Sequence, residues 1–134
     1  MDCLLASAHL DDDEFLDAFH SCRLKSSELR NADHFRLAWL HLHREPLESA
    51  LASVCSGIQA FAAHHGASTK YHETITIAWV RLLATHHEAT FEEFLTAHES
   101  RLNLDLLHRF WTPELLAGED AKSRWVAPDI RDLP

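Results

Sequence analysis

Apolar residues recur along this chain three or four apart, the spacing of a helix, and nowhere alternate with the period of two that a half-buried strand requires. Asp11-Asp12-Asp13-Glu14 places carboxylates where the positive end of a helix dipole favours them. Phe15, Leu16, Phe19 and Cys22 or Arg23 follow in register, so a first helix is predicted to run to near Leu24. Lys25 to Arg30 reads as a polar connector. Phe35, Ala38, Trp39 and Leu42 then form the stripe of a second helix, about Ala32 to Arg44, capped by Asn31 or Asp33. A third begins with Pro46 in the first helical position, carries Leu47, Ala50, Leu51, Val54, Ile58, Phe61 and Ala62 inward, and stops at Gly66.

A fourth helix, Tyr71 to His87, is apolar nearly all round and is therefore expected to be the most buried. Thr90-Phe91-Glu92-Glu93 is a capping box opening a fifth, through about Glu99, and another spans Asn103 to Trp111. Thr112-Pro113-Glu114 starts one more short turn, to Ala117, which Gly118 ends. From there to Pro134 the chain reads as extended, with Trp125, Val126, Ile130 and Leu133 as apolar anchors. The expectation is one all-α domain over 1–134. It is a bundle of five to six helices with an extended C-terminal tail, 119–134, packed on it.

Composition agrees: 134 residues with 46% hydrophobic and 25% charged suit one ordinary globular domain. Three glycines and four prolines are too few for a turn-rich sandwich or barrel. The net charge of -9 repels phosphate backbones and anionic headgroups, so neither nucleic acid nor a membrane is expected as a partner. Residues 49 to 69 carry no Asp, Glu, Lys or Arg, but their serines, glutamine and histidines give that helix a polar face unsuited to lipid. Three cysteines without a C-x-x-C pair and a start without a basic segment imply reduced thiols in a cytoplasm and no secretory signal. Full protonation of the 12 histidines would carry the charge to +3, so the chain is electrostatically sensitive between roughly pH 5 and 7.

The familiar chemical motifs are missing. His72-Glu73, His87-Glu88 and His98-Glu99 each lack the second histidine of H-E-x-x-H, and no Glu-x-x-His of a di-iron bundle occurs. The His-x-x-x-Glu at His41 and Glu45 is a spacing that chance supplies in a His-rich helix. His64-His65 and His86-His87, at helix ends where imidazolium suits the dipole, read as structural. With three glycines there is no P-loop, nucleophile elbow or dinucleotide fingerprint, and hence no nucleotide cofactor is expected.

Two segments place polar chemistry on apolar helices. One is His34-Phe35-Arg36-Leu37-Ala38-Trp39; the other is Tyr71-His72-Glu73-Thr74-Ile75-Thr76. His72, Thr76 and Trp79 share one stripe, and the positive end of the fourth helix favours the neutral imidazole that works as a general base or metal ligand. The same segments carry a resemblance. Asp33 to Trp39 is similar to the H-x-x-H-L-R-L-A-W block of a widespread bacterial family of small uncharacterised proteins. Tyr71 to Thr76 resembles its Y-H-E-T-x-T block, and Val126 to Pro134 its V-E-P-D-L-x-P-L-P ending. The blocks fall in order across nearly the whole chain, with Asn31 standing where the family has its first histidine. The resemblance implies no particular activity, since the family has no established one.

Two functional readings follow. In the first, a pocket between the second and fourth helices binds or transforms a small organic molecule. His34, His72 and Glu73 perform acid–base work, and Tyr71, Thr76, Trp79 and Trp39 shape the cavity. A variant places one divalent transition metal there, on His34, His72 and a carboxylate. In the second, the chain is a non-catalytic helical module whose buried polar groups fix packing and whose acidic face meets a protein partner. The oligomeric state is not legible.

Overall fold

The computed structural model describes residues 5–134, and the readings made on Met1, Asp2 and Cys3 lie outside them. Among the described residues there is no strand, and the fold is all-α. Among the described residues eight α-helices form, in chain order: α1 Asp12–His20, α2 Asn31–Arg44, α3 Leu47–His64, α4 Glu73–Leu83, α5 Phe91–His98, α6 Leu104–Leu107, α7 Pro113–Leu116 and α8 Glu119–Ser123. Single 3-10 turns occupy Ser26–Glu28, Ser68–Lys70 and Glu99–Arg101. The count exceeds the expected five to six because the chain after His98 breaks into single-turn pieces. No helix among the described residues is long and apolar enough to cross a membrane.

The chain clusters into two compact units that divide between Tyr71 and His72. In the first, the acidic run opens α1 as its pattern requires. Asp11 caps the helix by accepting from the Glu14 N–H at 2.8 Å, and the Glu14 carboxylate accepts from the Asp11 N–H at 3.0 Å. α1 stops at His20, short of the expected Leu24, because Cys22 turns left-handed (φ 62°) and the Leu24 N–H closes back on the Ala18 carbonyl. Arg30, rather than Asn31 or Asp33, is the N-cap of α2. Asp33 instead lies fully buried, accepting from the backbone N–H of Ala6, Ser7 and Arg30 and from the Ser7 hydroxyl. Arg36, also buried, donates to the carbonyls of Ser7 and Leu10 and to Asp12, with its guanidinium 4.5 Å from the Phe15 ring centre. These two charged side chains tie residues 6–12 to α2.

Nine of the fourteen α2 residues are buried against five of eleven in α4, so the second helix, not the fourth, is the more buried. Pro46 caps α3 rather than opening it. Gly66 stops α3 as expected: its φ of 70° lets the Ala67 N–H reach the Ala62 carbonyl at 2.7 Å. Gly57, in the middle of α3, has a different reason. A Cβ there would meet the Phe19 ring at 2.8 Å and the His20 ring at 3.2 Å, so α1 approaches α3 where that side chain is missing.

In the second unit, α4 supplies Ala78 and Leu82 to a core with Leu107, Phe110, Trp111 and Leu116. α4 begins at Glu73 and ends at Leu83, four residues before the expected His87, where the Thr85 hydroxyl takes the Leu82 carbonyl. The helix expected over 103–111 is a single turn followed by 3-10-type bonds such as Phe110 N–H to Leu107. The tail packs, as expected, but it is not extended throughout: 119–123 is α8. Buried Thr74 holds the strand-like stretch after it, donating to the Arg124 carbonyl at 2.7 Å and accepting from the Val126 N–H at 3.1 Å. Trp111 Nε1 donates to the Val126 carbonyl, Asp129 accepts from the backbone and hydroxyl of Thr112, and Ile130 N–H bonds to Phe110. Trp125 and Leu133 pack on the core, whereas Ile130, expected as an anchor, stays exposed.

Candidate functional sites

The residues expected to do chemistry fall in both units. His34, half-buried in the first turn of α2, has its pKa lowered by burial, with Asp33 opposing. Trp39 is core, and His43 stacks on it at 4.4 Å between ring centres. Tyr71 ends the 3-10 turn Ser68–Lys70. His72 opens the other unit as the N-cap of α4. Its Nδ1 accepts from the Ile75 N–H at 3.1 Å, so the ring carries its proton on Nε2 and donates to the Leu116 carbonyl at 2.8 Å. Nδ1 thus caps α4 and Nε2 fastens it to α7, and no lone pair remains for a base or a ligand. Thr76 donates to the His72 carbonyl, Trp79 packs on the core and Glu73 is the first residue of α4.

Two constellations that sequence reasoning passed over are more chemically organised. The first begins at Glu45, which stands just beyond α2. Pro46 pushes the residue before it out of helical conformation, and Glu45 is accordingly extended (φ -143°, ψ 158°). Its side chain still turns back one helical turn to His41, whose Nδ1–H donates to Glu45 Oε2, while the Ser53 hydroxyl donates to Glu45 Oε1 at 3.1 Å. A carboxylate only accepts, so the remaining nitrogen of neutral His41 carries the lone pair. That nitrogen, Nε2, lies 2.9 Å from His20 Nε2, which therefore donates to it. The result is a continuous row, Ser53–Glu45–His41–His20, from inside α3 to the exposed end of α1. Its last nitrogen, His20 Nδ1, bears a lone pair and has no hydrogen bond among the described residues. Partial burial lowers the His20 pKa first, the neighbouring His41 second, and Glu45 opposes. The signal was present as His41-x-x-x-Glu45, but one such spacing does not reveal that His20 arrives from another helix.

The second constellation joins the loop after α4 to the last residue of α5. Glu88 Oε2 lies 2.8 Å from His98 Nε2, and Glu88 Oε1 lies 3.7 Å from His86 Nδ1. One donor atom from each of His86, Glu88 and His98 falls within 4.8 Å of the others. On the far side of the His98 ring, Nδ1 takes a hydrogen bond from Arg101 at 2.8 Å. Glu88 Oε1 is buried without a hydrogen-bond partner. The Glu88 pKa is lowered first by its bond to His98, and that of His86 is lowered first by burial. Phe94 walls the group, its ring 5.0 Å from His86 and 5.2 Å from His98. His86 had been read as structural and Glu88 and His98 only as fragments of failed motifs, because the pairing is made by the loop and not by a helical period.

No protein-family model matches the chain, and no curated protein or solved structure matches it.

Proposed function

We propose that the chain performs acid–base chemistry on a small organic molecule, with His20 as the working base. The observation that carries this reading is the row Glu45–His41–His20, in which each group orients the next and the last is exposed. A base held by a second group, itself held by a carboxylate, is the arrangement that activates a water or a substrate hydroxyl in hydrolytic sites. Here the proton taken up at His20 Nδ1 leaves the Nε2–H freer to shift toward His41, and Glu45 stabilises the positive charge that spreads along the row. The depressed pKa keeps His20 neutral near pH 7, its Nδ1 lone pair open to a proton. The free thiol at Cys22 supports a reducing cytoplasm as its location, and the net charge of -9 supports a small molecule over nucleic acid.

Hydrolysis of p-nitrophenyl acetate by the full chain tests the reading. The wild type should exceed His20→Ala, which retains the background of the remaining histidines. A positioned general base contributes roughly a hundredfold or more, and the rate should rise through a limb below the ordinary histidine value. Glu45→Gln should move that limb while leaving the circular dichroism spectrum intact. Equal rates for wild type and His20→Ala would overturn the reading and leave the non-catalytic one.

A further inference from the structure

We propose that His86, Glu88 and His98 form a binding site for one divalent transition ion of the zinc class. Two imidazoles and one carboxylate are a borderline-soft donor set, suited to zinc or cobalt and ill suited to magnesium or calcium, which take oxygen ligands. The donor atoms already lie within 4.8 Å of one another. Ligands at zinc distances stand roughly 3.3 Å apart, so a contraction of up to about 1.5 Å closes the set. Two of the three side chains, His86 and Glu88, sit on the connector between α4 and α5, which can supply that movement, while His98 is fixed at the end of α5. Glu88 Oε1, buried and without a hydrogen-bond partner, is the atom that gains most from a cation. Side-chain exposures of 32%, 25% and 19% for His86, Glu88 and His98 leave the group open to solvent on one side. Three protein ligands leave the fourth position of a tetrahedral ion for water or a small ligand.

Arg101 sets the terms on which the ion enters. A guanidinium can only donate, so His98 Nδ1 accepts from it and the imidazole proton stays on Nε2, the atom that faces Glu88. Binding a metal at Nε2 requires that proton to move to Nδ1, and Arg101 must then swing away, for two donors cannot face one another. The charge of the ring is unchanged by this exchange of tautomers. Arg101 also adds a positive charge beside the incoming cation. It is therefore a competitor for the site, and its removal should strengthen binding, the opposite of what loss of a structural contact would do.

Titration of the full-length, chelator-treated chain with Co²⁺, followed by its visible absorption, and with Zn²⁺ by calorimetry tests both points. One equivalent of Co²⁺ should give the intense bands of a tetrahedral ion. Glu88→Gln, which keeps the size of the side chain, and His98→Ala should each weaken binding by roughly an order of magnitude or more. Arg101→Ala should strengthen it several-fold. The variants' helical circular dichroism and melting temperatures guard against loss of fold. Absence of tetrahedral bands, or an affinity untouched by Glu88→Gln and His98→Ala, overturns the site; the second result would place the ion among the other histidines. An unchanged or weakened affinity in Arg101→Ala overturns the competition. The relay variant His20→Ala should leave the Co²⁺ spectrum unaltered, so failure of either proposal is read separately.

Discussion

At the scale of the residue, the charged and polar side chains inside this protein divide into those whose bonding is complete and those left with capacity to spare. Asp33 is the clearest of the first kind, a fully buried carboxylate facing four donors. Asp33→Ala leaves those donors without an acceptor and should lower unfolding free energy by on the order of 3 kcal/mol, measured by urea denaturation. His72 is of the same kind. His72→Ala removes the cap of α4 and the bond to Leu116, and should cost about 1–3 kcal/mol. A melting temperature unchanged in His72→Ala would show that the ring holds nothing in place. His20 and Glu88 are of the second kind, one with a lone pair turned outward and the other with an unpartnered oxygen. The His-Phe-Arg-Leu-Ala-Trp segment stood out in the sequence for its histidine. Its arginine is the residue that the fold uses, and that could not be read beforehand because its partners are backbone carbonyls of residues 7 and 10.

Elements were legible in proportion to how far their own sequence decides them. α1, α3, α5 and α7 open at the caps their sequences advertise, to within a residue. The ends of α1 and α4 were overestimated, since apolar spacing continues past a point where local hydrogen bonds terminate the helix: the left-handed Cys22 in one case and Thr85 in the other. α8 went unseen because a five-residue stretch of Glu, Asp, Ala, Lys and Ser has only one buried side chain, Ala121, and no stripe. Gly57 shows the converse, a helical glycine whose reason lies in another element. Alanine there gains about 1 kcal/mol in helix propensity. It also drives a methyl into the fully buried Phe19 ring, which has no room to yield, at an overpacking cost of about 1–3 kcal/mol. Gly57→Ala should therefore destabilise the chain and, by displacing His20, weaken the proposed catalysis; a more stable variant would show that α1 is free to move off α3. The tail offers a cleaner separation. Thr74→Val keeps the shape of the side chain but removes both bonds to residues 124 and 126. Amide exchange should quicken at Val126 before it quickens in α4.

For the molecule as a whole, the histidine content decides how it meets acid. His20, His34 and His86 all have their pKa lowered, each chiefly by burial. A histidine depressed in the fold binds its proton more readily once unfolded, so unfolding takes up protons in the window below the ordinary value of about 6.5. Its contribution to stability is whole above that value and is lost as pH falls toward the folded pKa. Glu88 and Asp129, lowered in the fold, add a second loss further down, as pH falls through the carboxylate range. A contrary effect accompanies the first: protonating histidines cancels the net charge of -9 and relieves mutual repulsion. Between exposed charges more than about 8 Å apart that repulsion is largely screened at physiological ionic strength, whereas burial of an imidazole is not. At 0.15 M salt, a value at which screening is strong, the urea midpoint should fall steadily from about pH 7 to about pH 5. His20→Asn, which cannot take up the proton, should flatten part of that slope. A midpoint that rises as pH is lowered would mean that charge cancellation outweighs the buried imidazoles.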